Sequence, residues 1–247
     1  MTRSKSLGIM LVSCVLGAGA LALMGWGLAS AAPHQAALNA ASTSCPADAP
    51  VGVPCSSLTI SEYPDSNFST VHGPNGGAHP DWVSYSNSNL HVKAHSWVTI
   101  KVLGYDGGGS LNNAYFDHVT GTAGGTATVT DPATGTTQQV SYVNPDSIGH
   151  TFTLRGIAGS NSPFYTGVPS PKTAALLVSV PIPANNYATT DAAGYPTKPV
   201  VVTFSFMTGG AGVYQWNCEF PCGGSRLGQF GEAMSTYGYM SGTLTVK

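Results

Sequence analysis

The sequence has few charged residues and no run of basic ones. Asp, Glu, Lys and Arg together make up 8% of the 247 residues, and the formal net charge is -2. An average soluble domain is about a quarter charged, and a protein that neutralises nucleic-acid phosphates needs clustered Lys and Arg. The composition therefore excludes nucleic acid as a main partner. The 31 glycines and 17 prolines favour short strands joined by turns.

Helical periodicity is also missing, since no stretch after Leu28 repeats its apolar residues at helical spacing. Short segments rich in β-branched and aromatic residues recur instead, bounded by Gly, Pro, Asn or Asp. In one of them Val98, Ile100 and Val102 alternate with other side chains, which is typical of a strand with one buried face. The segments are 90–92, 97–103, 126–129, 138–143, 150–154, 174–180, 200–206, 213–217 and 242–246. This pattern predicts one all-β domain, a Greek-key β-sandwich.

The first 32 residues predict export. Arg3 and Lys5 form a positive start, residues 7–28 carry no charge, and Ala29 to Ala31 supply small residues for a signal peptidase. The uncharged run exceeds the roughly 7–15 residues of a signal-peptide core and approaches the roughly 20 that span a bilayer. A cleaved signal peptide and an N-terminal membrane anchor both stay open. Either one places the rest of the chain on the periplasmic or extracellular face.

Residues 33–70 are rich in Ala, Ser and Pro, which predicts a flexible tether and loop before the sandwich domain at residues 71–247. Within the tether, Cys45 and Cys55 are close in sequence and surrounded by prolines. In an oxidising compartment such a pair predicts a disulfide that fastens the loop.

Two segments far apart in the sequence resemble a known copper-binding family. Residues 149–152, Gly-His-Thr-Phe, begin one predicted strand, and Cys218 to Cys222 followed by Gly223 come after another. Together they resemble the cupredoxins, and in particular the copper-binding domain of cytochrome c oxidase subunit II. The resemblance covers residues 90–247. It implies a cupredoxin-like β-sandwich.

The resemblance also implies a set of copper ligands. In the oxidase family a histidine at the start of a strand and two cysteines in a Cys-x-x-x-Cys-Gly stretch bind copper, which implies His150, Cys218 and Cys222. Met240 stands where many cupredoxins keep an axial methionine, and Met234 is the alternative thioether. Thiolate, thioether and imidazole ligands select copper. The implied function is electron transfer, with a redox protein or a respiratory complex subunit as the partner.

This ligand set is incomplete. The oxidase loop places a histidine four residues after its second cysteine and a methionine three residues later, where this chain has Arg226 and Gln229. No histidine follows His150 in the sequence. A substitute would have to come from a loop, and His118 and His95 are the best candidates.

Two other functions stay open. Cys218 and Cys222 are also placed to form a disulfide, which would leave a metal-free structural or interaction module. A copper storage or delivery protein is the third hypothesis, and it requires an exposed, exchangeable site. No arrangement of nucleophile, base and oxyanion donors is recognisable. The sequence therefore predicts no catalytic site of its own, and any enzymatic role would be that of an electron-transfer subunit in a terminal oxidase.

Overall fold

The computed structural model divides the chain into two units, Met1–His34 and Gln35–Lys247. It describes residues 36–65, 82–107, 114–156, 177–186, 189–220, 233–234 and 236–247, together with Gly17 and Gly19 of the first unit, which are helical. Among these described residues, no helix has the length and apolar character needed to cross a membrane. The strands all belong to the second unit.

Short strands dominate the described part of the second unit. In chain order they are β1 (Leu38–Asn39), β2 (Ala41–Ser42), β3 (Cys55–Tyr63), β4 (Ser84–Tyr85), β5 (Asn89–Val92), β6 (Trp97–Gly104), β7 (Ala127–Thr130), β8 (Thr137–Val140), β9 (Ile148–Gly156), β10 (Leu177–Pro183), β11 (Val200–Met207), β12 (Gly212–Asn217) and β13 (Ser241–Val246). Two short 3-10 helices cover Ala123–Gly125 and Pro145–Ser147. Each segment predicted as a strand from the sequence overlaps one of these strands.

The strands form two sheets. The first has the order β1-β5-β13-β12-β9-β10, and the second has the order β2-β3-β6-β11-β7-β8 with β4 beside β3. Strands that follow one another in sequence often lie in different sheets, as β5 and β6 do, because the chain crosses between the sheets in the Greek-key manner. The prediction of an all-β sandwich is confirmed.

The two sheets pack face to face through alternate residues of their strands. Val98, Ile100 and Val102 of β6 are fully buried, and they are the residues that the sequence predicts for one buried face. Across the interface, the ring of Phe152 in β9 lies 5.7 Å from the ring of Phe204 in β11. Removal of this apolar surface from water is the main stabilising contribution to such a core.

The sandwich begins earlier than the sequence predicts. β3 lies inside the range 33–70, for which the composition predicts a tether and loop. It nevertheless pairs in parallel with β6 through eight consecutive residues, and its Leu58 and Ile60 are buried in the core. The prediction is wrong here because Ser and Thr fill most of the other positions of β3, so that its composition resembles that of a loop while its alternation is that of a strand.

The region before β3 contains a disulfide between Cys45 and Cys55. Cys55 is the first residue of β3 and is buried, whereas Cys45 is exposed. The bond therefore fastens an exposed loop to the start of a core strand.

Candidate metal centre

Four core-facing rows of side chains end in functional groups at one end of the sandwich. The row of β9 that includes Phe152 ends in His150, and the row of β12 ends just beyond the strand in Cys218. In the second sheet, Glu62 ends the row of β3, and Asp106 lies two residues past β6. Because side chains alternate along a strand, these four groups stay between the sheets. This end of the sandwich, defined by Glu62, Asp106, His150 and Cys218, is called the site pole.

His150 and Cys218 meet inside the site pole. The Nδ1 atom of His150 lies 3.9 Å from the Sγ atom of Cys218. His150 is 3% exposed and Cys218 is fully buried. The ring of Phe220 lies 6.4 Å from the imidazole, and its backbone oxygen lies 3.7 Å from Sγ. An imidazole and a sulfur from different strands are thus held together away from water.

The position of the sulfur is fixed by hydrogen bonds to the chain around it. The backbone N–H of Thr151 donates to Sγ of Cys218 at 3.3 Å. The hydroxyl of Thr151 accepts from the backbone N–H of Glu219 at 2.7 Å, and the backbone N–H of Cys218 donates to the carbonyl of Met240 at 2.9 Å. An N–H donor aimed at sulfur stabilises a thiolate relative to a thiol.

The other nitrogen of His150 faces two carboxylates. Its Nε2 lies 2.7 Å from Oδ2 of Asp106 and 3.2 Å from Oε1 of Glu62. Glu62 is 1% exposed and the side chain of Asp106 is 22% exposed. One ligand atom from each of these three residues lies within 4.8 Å of the others. The imidazole therefore stands between a sulfur on one side and a pair of carboxylates on the other.

Burial and mutual interaction change the acidity of these groups. Burial raises the pKa of Glu62 to about 8, although the nearby imidazole of His150 acts in the opposite direction. Burial alone would lower the pKa of His150, but Glu62, Asp106 and Cys218 outweigh that effect and hold the pKa of the imidazole well above its usual 6.5. The metal-free site pole therefore retains protons near neutral pH.

The pair formed by Nδ1 and Sγ fits a transition-metal ion. Bonds of roughly 2.0 Å to nitrogen and 2.3 Å to sulfur reach about 4.3 Å when collinear, so a separation of 3.9 Å allows one ion to bond to both at an obtuse angle. Thiolate and imidazole donors suit copper and zinc. On the other side, Nε2 with two carboxylates suits harder ions, but Nε2 is already within hydrogen-bond distance of Asp106.

Of the predicted sulfur ligands other than Cys218, the two methionines lie among the residues that the structure describes. Met240 is fully buried, and its backbone N–H donates to the carbonyl of Ala233 at 3.0 Å. Met234 is half-buried and packs against the core. The bond between Met240 and Ala233 keeps the backbone that carries both methionines near Cys218. Cys222 lies outside the described residues, so its predicted roles as a ligand and as a disulfide partner stay predictions.

The substitute histidines lie elsewhere in the described part of the chain. Among the described residues, Glu62, Asp106 and His150 are the one group of three or more His, Cys, Asp or Glu side chains placed closely enough to hold a metal ion, and this group includes neither His118 nor His95. The ring of His118 is exposed and contacts Asp117 and Tyr142 instead, and His95 is exposed in a loop.

Sequence reasoning missed Glu62, Asp106 and Thr151. A signal for Glu62 exists, because it continues the apolar row of Leu58 and Ile60 at a position where a charged residue would face the core. Asp106 gives a weaker signal of the same kind at the end of β6, and in the sequence it reads as part of a Gly-rich loop. The role of Thr151 depends on its backbone N–H and has no signal in the sequence.

In comparisons with known proteins, the chain matches solved structures at low sequence identity. No protein-family model matches the chain, and no curated protein matches it. Similar solved structures include auracyanin B, at 15% identity over 77% of this chain and 88% of the other, with a TM-score of 0.32. They also include auracyanin A, a "blue" copper protein from the green thermophilic photosynthetic bacterium Chloroflexus aurantiacus, at 13% identity, 78% and 99% coverage and a TM-score of 0.30. Reduced rusticyanin is 12% identical over 80% of this chain and 83% of its own, with a TM-score of 0.30.

Proposed function

We propose that this protein is a copper-binding electron-transfer domain, exported from the cytoplasm, in which His150 binds through Nδ1 and Cys218 through Sγ. The observation that supports it is the 3.9 Å approach of these two atoms in a buried site. Met240 or Met234 and Cys222 are the proposed further ligands. Bound copper supplies one-electron redox chemistry, because it is stable in two oxidation states.

The residues around the proposed ligands would support electron transfer in two ways: they keep the ligands in fixed positions and they exclude water. His150 lies in β9, whose residues from Ile148 to Leu154 are all buried, and β9 pairs with β12 just before Cys218. The N–H of Thr151 donates to the sulfur, and hydrogen bonding around a cysteine ligand is one of the features that tune a copper redox potential. A rigid, dry surrounding of this kind lets both ligands keep their positions when the charge changes.

The proposed cellular role follows from the resemblance of the sequence to the copper-binding domain of cytochrome c oxidase subunit II. We propose that the electron is exchanged with a redox protein or within a respiratory complex on the periplasmic or extracellular face. Residues 7–28 would then serve as an anchor or as a signal that is removed.

Copper reconstitution of the metal-free full chain tests the proposal. We expect an absorption band from thiolate-to-copper charge transfer that disappears in Cys218→Ser and in His150→Gln, because each change removes one proposed ligand. His118→Gln is the matched control, since His118 is an exposed imidazole outside the site pole, and it should keep the band. A wild-type protein without the band, or a band that survives Cys218→Ser, would contradict the proposal.

A metal-free structural or interaction module is the second candidate, and the residues Arg226 and Gln229 at two family ligand positions favour it. It requires a disulfide between Cys218 and Cys222. Mass spectrometry of non-reduced peptides separates the two functions: a disulfide-linked peptide pair supports the module, whereas two alkylatable thiols support metal binding.

Copper storage or delivery would need a site that exchanges its metal readily. His150 is 3% exposed and Cys218 is fully buried, which favours slow exchange and thus electron transfer over delivery. Competition with a copper chelator measures this directly, and loss of copper within seconds would support delivery.

A further inference from the structure

Glu62 and Asp106 have no place in the ligand set implied by the sequence, yet they contact the same imidazole. Asp106 Oδ2 is 2.7 Å and Glu62 Oε1 is 3.2 Å from Nε2 of His150. The Asp106 carboxylate accepts a hydrogen bond when ionised, and the Glu62 carboxyl group has an oxygen that accepts whether it is ionised or protonated. The nitrogen that faces them therefore carries a proton, which it donates to them.

We propose that Glu62 and Asp106 are positioning residues, which hold the proton of His150 on Nε2 and so direct Nδ1 towards Cys218 as the metal-binding nitrogen. The form of an imidazole that binds metal is the neutral one, which has one N–H and one lone pair, and a partner for the N–H decides which nitrogen is left to bind metal. The inference rests on the proposed copper function for its consequence, but the orientation of the ring is a property of the metal-free protein.

The two carboxylates are themselves held by the backbone. The N–H of Asp106 donates to Oε2 of Glu62 at 3.2 Å, so the two residues fix one another. The carbonyl of Asp106 accepts from the N–H of Asn185 at 2.8 Å, and the side-chain amide of Asn185 donates to the carbonyls of Gly104 and Lys198. The loop after β6 is thus tied to the chain before β11. An acceptor for Nε2 that is fixed in this way fixes the plane of the ring as well.

The strands explain why the acceptors approach from this side. β3 and β6 are parallel neighbours in the second sheet, with Glu62 opposite Gly104, so both carboxylates reach the site pole from the same sheet. His150 and Cys218 reach it from the first sheet, where β9 and β12 are neighbours. The carboxylates and the sulfur therefore contact opposite sides of the imidazole, and each nitrogen has a separate environment.

The experiment combines a measurement on the metal-free protein with one on the copper-bound protein. Long-range nitrogen–proton NMR of the histidine rings in the metal-free full chain should show a slowly exchanging proton on Nε2 of His150. The double variant Glu62→Leu with Asp106→Ala removes both acceptors and should lose that signal, and its copper affinity should fall about 10- to 100-fold, the usual effect of removing a partner of a metal-binding histidine. Asp106→Asn keeps an acceptor oxygen and should retain the Nε2 proton.

Controls separate positioning from folding. Asp117→Asn changes the partner of His118, a second Asp–His pair outside the site pole, and should leave copper affinity unchanged. Asp106→Ala alone affects a partly exposed side chain, so if the double variant does not fold, this single variant must still speed exchange of the Nε2 proton.

Three outcomes decide whether Glu62 and Asp106 position His150 for metal binding. A double variant that keeps both the slow Nε2 proton and wild-type copper affinity overturns the inference. Metal binding that removes the Nε2 proton and needs Glu62 and Asp106 but not Cys218 also overturns it, because the ion would then bind on the carboxylate side. If the wild-type protein binds no copper but shows a slowly exchanging Nε2 proton that the double variant lacks, the proposed function is wrong and the inferred orientation of the ring is supported.

Discussion

The loop that Cys45 and Cys55 close is exposed and lies at the start of β3, whereas Cys218 is fully buried at the end of β12. In the first region sulfur is bonded to sulfur and limits the freedom of a loop. In the second region sulfur accepts a hydrogen bond from Thr151 and lies 3.9 Å from an imidazole nitrogen. Cysteine thus forms a disulfide cross-link in one region and is a candidate metal ligand in the other.

The disulfide loop is also more loosely packed than the strands beside Cys218. A Cβ atom added at Gly52, in the disulfide loop, would meet nothing within 4 Å. Gly242 of β13 lies opposite Trp216 of β12, two residues before Cys218. A Cβ added at Gly242 would be 2.1 Å from the carbonyl oxygen of Ser88. Close packing keeps atoms in fixed positions, and a metal site that must keep its geometry gains from lying beside such a region.

Substitution of the two glycines is the strongest test of this difference. We expect Gly242→Ala to lower the free energy of unfolding by more than about 3 kcal/mol, the upper end for an overpacked site, because the contact is with backbone that has little room to move. Gly52→Ala should cost about 1–2 kcal/mol, since Gly52 has φ of +83° and only backbone strain opposes the change. Urea unfolding of both variants measures the losses. Equal losses would show that the two regions are packed alike.

The buried carboxylate of the site pole predicts a dependence on pH that the disulfide region lacks. The pKa of Glu62 is raised from 4.5 to about 8, so between these values the folded protein binds more protons than the unfolded chain, and stability falls as pH rises. The raised pKa of His150 acts in the same direction above 6.5. We expect the titration of Glu62 alone to remove about 2–3 kcal/mol of the stability of the metal-free protein between pH 6 and 8, and the titration of His150 to add to that loss.

Glu62→Gln is the matched variant for this prediction, because it keeps the shape of the side chain and removes its titration. Urea unfolding at several pH values should give a clearly shallower slope for Glu62→Gln than for the wild type. Parallel slopes would mean that Glu62 is ionised in the folded protein at neutral pH.

Much of the sandwich is predictable from the sequence, because its strands alternate between buried and exposed residues. Val98, Ile100 and Val102 show that alternation with aliphatic side chains, and β6 is found where the pattern places it. β3 has the same alternation, but Ser and Thr occupy its other positions and Glu62 ends its buried face. A charged residue on a buried face depends on partners from other strands, and the local sequence does not reveal those partners.

The candidate site is predictable only in part for the same reason. His150 and Cys218 stand in segments that resemble a family, so their pairing across 68 residues of sequence follows from the resemblance. Asp106 has no such segment, and it reaches His150 because β6 happens to end at the same level as β3. Long-range register of this kind is set by the packing of whole sheets.

Removing the disulfide should affect stability without affecting the site pole. The bond closes a loop with a sequence separation of 10, and chain-entropy estimates for so short a loop give a loss of about 2–3 kcal/mol in Cys45→Ala with Cys55→Ala. Copper affinity should stay as in the wild type, since neither residue belongs to the site pole. A matching loss of copper would show that the two regions are coupled through β3.

The smallest effect is expected at the ion pair between Arg155 and Glu219, which lies beside Cys218 and is partly exposed. The side chains of Arg155 and Glu219 are 37% and 17% exposed, and ion pairs that water still reaches contribute about 0–1 kcal/mol. Glu219 also keeps a second partner, because the amide of Asn217 donates to its Oε1 at 3.1 Å. Arg155→Met should therefore cost at most about 1 kcal/mol in urea unfolding, and less at high salt, where surface charges are screened. A loss above about 2 kcal/mol that salt does not reduce would mean that Arg155 holds the Cys218 segment by packing, and that the rigid region extends to the surface.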